Sequence, residues 1–341
     1  MIQSSCQCGA ALFFDSGSCS QCGAVVGFDL VTGIQSLVQI GDKIWQAPSG
    51  KRFTLCANTT DHDVCNWLVS ADSGQSYCPA CQFNRTIPNL SKPENKHLWW
   101  RLEHAKKRML FGLYQTGLWP QVGWNCNDGL LFDFIEDGRS NWDFAETFVT
   151  TGFSGGIITL NVLEANDVAR KQAQEEMQER YRTLLGHFRH EIGHYFWGQF
   201  AQDDAWLKQV RQRFGDERVD YAQALEEYYV TGGASDWSDH FISRYASAHP
   251  VEDWAETWAH YLHMMDALDT AHQQGFIRSD PFVSDFDTKL RQWQRLSVAL
   301  NELNRAVGHN DAYPFVIGEP VAQKLEFVDR TIVQWRVRTD L

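Results

Sequence analysis

The sequence predicts an α+β protein: a mostly helical domain with a small sheet, preceded by two small cysteine-rich modules. Three observations predict it. Eight of the nine cysteines stand before residue 82, in two groups of four. A middle stretch rich in Thr, Ile, Val and Gly has the composition of short strands. Beyond residue 170 or so, apolar residues recur at helical spacing almost to the end. The chain has 341 residues, 43% of them hydrophobic, which is enough for a real core and ordinary for a globular protein.

The first module, expected over 1–40, holds "CQC" at 6–8 and "CSQC" at 19–22. The second, over 41–92, holds Cys56, Cys65 and "CPAC" at 78–81. Four thiolates close a tetrahedral zinc site with bonds of about 2.3 Å. Cys6, Cys8, Cys19 and Cys22 are therefore one structural zinc set. Cys56, Cys65, Cys78 and Cys81 are the other, with His62 able to replace one thiolate. Glycines after Cys8 and Cys22 allow turns whose N–H groups point at sulfur. Neither module can bury a core of its own, so metal supplies much of its folding energy. Cys126 has no sequence partner and reads as a plain thiol.

The third region, 93–341, opens with an amphipathic helix over about 92–118, with Leu98, Leu102, Ala105, Met109 and Leu113 on one side. Gly117 and Pro120 stop it. The runs "LLFDFIED" and "FVTTGFSGGIITLNV" read as strands, and "GGIITLNV" is expected at a sheet edge, free to pair with an extended peptide. Helices are expected over roughly 170–200, 204–214, 216–230, 238–248, 250–272, 286–306 and 319–335.

A net charge of −13 argues against a broad nucleic-acid or anionic-membrane surface. The one basic aromatic run, "KHLWWRLEHAKKR", reads as the solvated and buried faces of a single helix. No apolar run approaches the roughly 18–20 residues of a membrane span. The N-terminus lacks the basic and apolar regions of a secretory signal, so a cytoplasmic protein is expected. Clustered cysteine pairs in that reducing compartment favour metal over disulfide.

The stretch "RHEIGHYFW", 189–197, carries the chemistry. Positions i and i+4 share a helix face, so His190 and His194 can grip one metal from one side. Glu191 stands beside them as a general base. This is the HExxH helix of zinc peptidases. Zinc held by two histidines needs a third protein ligand and one open position. The segment "HPVEDWAETWAHYLH", 249–263, supplies the candidates. Pro250 suits a first helical turn. Glu252 and Glu256 then share a face; one can bind zinc while the other accepts the second N–H of a ligand histidine. Asp253 is expected to face water, and His260 and His263 to be structural, with His260 also a candidate to support the site from behind. Asp216 or Asp220 is a possible further support for the site, although their segment reads more simply as a capped helix.

HExxH with a downstream Glu-x-x-x-acid helix resembles the gluzincin pattern, and "EDWAE" is similar to the lethal-factor-like subgroup. Asp253 stands where that subgroup has its first aromatic. The resemblance implies Glu252 as the third zinc ligand and Glu256 as the partner of a ligand histidine. It also implies Tyr245, seven residues before Glu252, as an oxyanion donor. More broadly, "CNWL", "CPACQFNRTIPNLS", "ITLNV", "YRTLLGHFRHEIGHYFW", "FGDERVDYAQAL" and "SAHPVEDWAETWAHYLH" resemble a bacterial zinc-binding metallopeptidase family with N-terminal zinc ribbons. That resemblance implies a zincin-like catalytic domain, one catalytic and two structural zinc ions, and a protein or peptide substrate. The alternative is a non-catalytic or other amide-hydrolase zincin that binds a protein partner through its ribbons. Glu191 discriminates, since a non-catalytic relative has no chemical use for it.

Overall fold

The computed structural model describes residues 4–138, 149, 151–176 and 183–339. The chain divides into two compact units, 1–111 with 120–171 and 112–119 with 172–341.

The first unit begins with the hairpin β1 (Ser4–Ser5) and β2 (Ala11–Leu12), which brackets Cys6 and Cys8. Then comes an antiparallel sheet of β3 (Val25–Asp29), β4 (Gly33–Gly41), β5 (Ile44–Gln46), β6 (Arg52–Leu55) and β7 (Leu68–Ser70), paired in that order. The expected module boundary at residue 40 falls inside β4. The second cysteine module thus continues the sheet begun in the first. Leu37, Ala47, Phe53 and Leu68 fill one face of this sheet. The short turn α1 (Ala57–Thr60) follows Cys56.

A second sheet has the order β10–β11–β9–β8, built from β8 (Asn84–Thr86), β9 (Leu131–Ile135), β10 (Gly152–Ser154) and β11 (Ile157–Asn161). β11 pairs parallel to β9 on one side and antiparallel to β10 on the other. This corrects the expectation that "GGIITLNV" is an edge strand. Gly155 and Gly156, both at positive φ, turn the chain back so that Gly152–Ser154 covers the edge. Helix α2 (Pro93–Gln115) links β8 to β9. It ends before Gly117, whose φ of 78° suits glycine. Helix α3 (Asp167–Glu176) follows β11.

In the second unit most of the described helices are capped by a side chain of the residue just before them. α4 (Leu184–Phe200) starts at Thr183, whose hydroxyl accepts from Gly186 N at 3.0 Å. The single helix expected over 170–200 is thus described as α3 and α4, with 177–182 outside the described residues. α5 (Asp204–Phe214) and α6 (Tyr221–Thr231) are capped by Asp203 and Asp220. The helix expected over 238–248 is instead the short α7 (Trp237–His240), extended backbone at Phe241, and a single tight turn at Tyr245–Ser247. Ser243 accounts for the break. Its hydroxyl accepts from Ala246 N at 3.1 Å and donates to Glu256 at 2.5 Å. α8 (Pro250–Gln273), α9 (Phe286–Ala306) and α10 (Glu319–Thr339) complete the unit.

α4 packs along α8. Gly193 permits the approach, and Trp254 Nε1 donates to Gly193 O at 3.0 Å. Behind this contact lies an aromatic core. Phe196 stacks on Trp258, and Trp254 meets Trp206, Phe200, Phe214 and Phe327 edge-on. Burying a side chain such as Phe contributes about 1.5–3 kcal/mol. This core therefore holds both helices rigidly while their polar sides face one another.

Candidate metal centre

The helical period puts His190 and His194 on the face of α4 that meets α8, and Pro250 starts α8 so that Glu252 meets them. His190 Nε2 lies 3.1 Å from His194 Nε2 and 3.0 Å from Glu252 Oε2. His194 Nε2 lies 3.5 Å from Glu252 Oε1. A tetrahedral metal with bonds of about 2.0–2.1 Å has ligand–ligand edges of roughly 3.3–3.4 Å. These separations fit such an ion. So does the electrostatics. Glu252 is 1% exposed, and its Oε2 has no hydrogen-bond partner among the described residues. A buried carboxylate is costly unless a cation meets it. Burial disfavours a charged His190, yet Glu252 and Glu256 beside it hold its pKa well above the ordinary value. The site therefore draws positive charge to that point.

Glu256 Oε1 is 2.7 Å from His190 Nδ1. With a metal ion in place of the second imidazole proton, that contact would keep the remaining proton on Nδ1 and leave the Nε2 lone pair for the ion. Glu191 is buried, 3.4 Å from His187 Nε2. Burial pushes its pKa up, but His187, His190 and His194 outweigh that and hold it below the usual carboxylate value. It is therefore ionised at neutral pH. The Tyr245 ring centroid lies 5.9 Å from that of His190. Burial, then the charge on Glu252, push its phenol pKa up, so the hydroxyl remains a proton donor.

Asp253 corrects an expectation. It is fully buried and pairs with Lys324 Nζ at 2.6 Å, while Lys324 also donates to His240 O at 2.8 Å. Its burial is matched by the lysine that α10 delivers to it. His260 bonds Tyr313 through Nδ1 at 2.8 Å, and His263 contacts Arg189. Asp216 pairs with Arg218, and Asp220 only caps α6. Tyr221, which no motif in the sequence marks, donates its hydroxyl to Glu252 Oε1 at 2.6 Å. Its one signal was position: Tyr221 follows the Asp cap and so opens a helix.

The cysteine groups assemble as spaced. Cys6–Cys22 and Cys8–Cys19 are 3.6 Å apart, sulfur to sulfur. Cys65 lies 3.7 Å from Cys78 and 3.6 Å from Cys81. Tetrahedral zinc–sulfur sites have edges near 3.8 Å, against about 2.05 Å for a disulfide bond. In each group four sulfurs lie within 4.8 Å of one another. His62 is not among them; its ring faces Trp99. Cys8 and Cys22 are exposed, whereas the second group is wholly buried. Cys126 is a half-buried free thiol.

Beneath the second group, α2 carries buried charges. Lys106 is 0% and Lys107 1% exposed, so both lysines lie on the buried face of this helix. Lys106 pairs with Glu103 at 3.0 Å. Lys107 donates to Val64 O at 3.3 Å and Asn66 Oδ1 at 3.5 Å. Burial opposes its charge, but Cys65, Glu103, Cys81 and Cys78 outweigh that and raise its pKa.

An α+β chain with two four-cysteine clusters and a third cluster of two histidines and a glutamate has the build of a zinc protein of peptidase type. Residues 95–331 match the family described as "Putative zinc-binding metallo-peptidase", and residues 3–92 match a zinc-ribbon domain. The chain belongs to that metallopeptidase family. An uncharacterized protein of Mycobacterium bovis and two of Mycobacterium tuberculosis strains are each 39% identical to it. Each alignment runs over 335 residues and covers 95% of this chain and 93% of theirs. No solved structure matches. No described helix is long and apolar enough to cross a membrane.

Proposed function

We propose that the protein is a zinc-dependent peptidase of the gluzincin type, acting on protein or peptide substrates in the cytoplasm. His190, His194 and Glu252 hold the catalytic ion, and the two cysteine groups hold structural zinc, three ions in all. When bound, the catalytic zinc supplies Lewis-acid chemistry, polarising a carbonyl and lowering the pKa of water to about 7. Glu191 is the base. Its buried, ionised carboxylate takes the proton of the attacking water and returns it to the leaving nitrogen. Tyr245 keeps its proton and donates a hydrogen bond where oxyanion charge develops. Glu256 holds His190 in the correct tautomer and is itself fixed by Ser243.

The observation that carries this reading is the meeting of two imidazole nitrogens with a buried carboxylate at 3.0 and 3.5 Å, on a helix that also carries a buried glutamate between the two histidines. The test pairs zinc analysis with a peptide-library cleavage screen. Glu252→Ala should lose the histidine-held zinc and keep the cysteine-held zinc. Glu256→Ala should weaken the same zinc by about 10–100-fold. Tyr245→Phe should keep zinc and lower turnover alone. Retention of all zinc by Glu252→Ala would reject the ligand set.

A further inference from the structure

Tyr221 is not in the ligand set, yet it is tied to it by a chain of specific contacts. The Asp220 carboxylate accepts from Gln223 N at 2.9 Å, which fixes Tyr221 as the first residue of α6. The start of α6 is in turn tied to the start of α8 by one imidazole. His249 Nδ1 accepts from Val251 N at 3.1 Å, so Nε2 carries the ring proton and donates to Val219 O, also at 3.1 Å. The Tyr221 ring packs edge-on against that imidazole, centroids 5.1 Å apart. From there its hydroxyl reaches Glu252 Oε1 at 2.6 Å. The other oxygen, Oε2, has no hydrogen-bond partner among the described residues and faces His190 Nε2 at 3.0 Å.

We propose that Tyr221 is a positioning residue for the metal centre. It bonds Oε1 of Glu252, which also lies 3.5 Å from His194 Nε2, and so favours Oε2 as the oxygen offered to the ion, with His249 as the strut that holds the tyrosine in place. The inference rests on the reading of Glu252 as a zinc ligand. Its physical basis is division of labour on one carboxylate. A carboxylate can rotate and offer either or both oxygens to a metal. A short hydrogen bond from a phenol restricts that freedom and favours the other oxygen for the ion. It follows that α6, none of whose residues is buried, still governs zinc affinity through one hydroxyl.

The test uses the full-length, zinc-loaded protein and Tyr221→Phe, which removes one oxygen and keeps the ring against His249. Zinc release is followed against increasing chelator, with the cysteine-held zinc as internal reference. The histidine-held zinc should bind about 10–100-fold more weakly, as for other residues that orient a ligand, and the cysteine-held zinc should be unchanged. Peptide cleavage should fall at limiting zinc and recover with excess zinc. A group acting directly on substrate would show no such recovery. Glu252→Ala is measured alongside. If it strips the zinc while Tyr221→Phe leaves affinity at the parent value, the Tyr221 proposal is wrong and the ligand reading stands. If Glu252→Ala also leaves affinity unchanged, the ligand reading itself has failed, and the Tyr221 proposal falls with it.

Discussion

Gly193, inside the HExxH stretch, sets the distance between the two helices that carry the site. A methyl group built there lies 3.1 Å from Ala255 Cα and 3.2 and 3.3 Å from two atoms of the Trp258 ring. Carbon atoms rest at about 3.5–4.0 Å, so even alanine requires α8 to shift by a few tenths of an ångström. Alanine gains about 1 kcal/mol of helix propensity over glycine. Overpacking costs about 1–3 kcal/mol, and the bond from Trp254 Nε1 to Gly193 O, worth about 1 kcal/mol, lengthens. Gly193→Ala should therefore lower stability by roughly 0–3 kcal/mol. Gly193→Val adds two further methyls and gives up most of the propensity gain, because β-branching restricts χ1 in a helix. It should cost at least about 3 kcal/mol. Since α8 also carries Glu252, the histidine-held zinc should weaken in the same order, parent over alanine over valine. Urea unfolding followed by tryptophan near-UV circular dichroism reads the first quantity, and chelator competition the second. A valine variant with the parent midpoint and parent zinc affinity would refute the close-contact argument.

Glu191→Gln should keep the fold and all zinc while peptide cleavage falls by roughly 10²–10⁴-fold; cleavage at the parent rate would remove Glu191 as base. Elemental analysis of fully loaded protein should find three zinc ions per chain, and chelation should release the histidine-held ion first because it has one protein bond fewer. One zinc at full loading would sink the two-cluster reading. Lys107→Met should destabilise the first unit by about 3–5 kcal/mol and speed zinc loss from the second cysteine group, because it removes a buried cation from beside buried thiolates. Unchanged melting and zinc loss would show that the ammonium is not needed there. Burial, reinforced by His190 and opposed by Glu256, pushes His260 down to about 4 from 6.5, and it also faces His263 and Tyr313. The unfolded chain takes up that proton first. Stability is thus full above pH 6.5 and is lost as pH falls toward 4, by up to roughly 3 kcal/mol. His260→Gln should flatten that slope in urea midpoints measured against pH, and an unchanged slope would exclude His260 as its source.

What the sequence determined by itself is local. The i, i+4 period places His190 and His194 side by side whatever the rest of the chain does, and Pro250 with His249 starts the helix that carries Glu252 and Glu256. Pairs such as Cys19 with Cys22 and Cys78 with Cys81 meet because a tight turn leaves them little alternative. The pairings between distant segments were decided only by tertiary structure. Tyr221 reaches a carboxylate 31 positions away, and Lys324 meets Asp253 across 71. The strand 157–161 lies inside its sheet because another strand folds back over its edge. Lys106 and Lys107 are buried because Glu103 and the thiolate cluster offset their charge. Ser243 leaves the helical path because its hydroxyl binds Glu256. Local pattern records which residues share a face, since backbone geometry alone sets that. It does not record which face of another element will meet it, because that choice follows from packing and charge satisfaction over the whole unit.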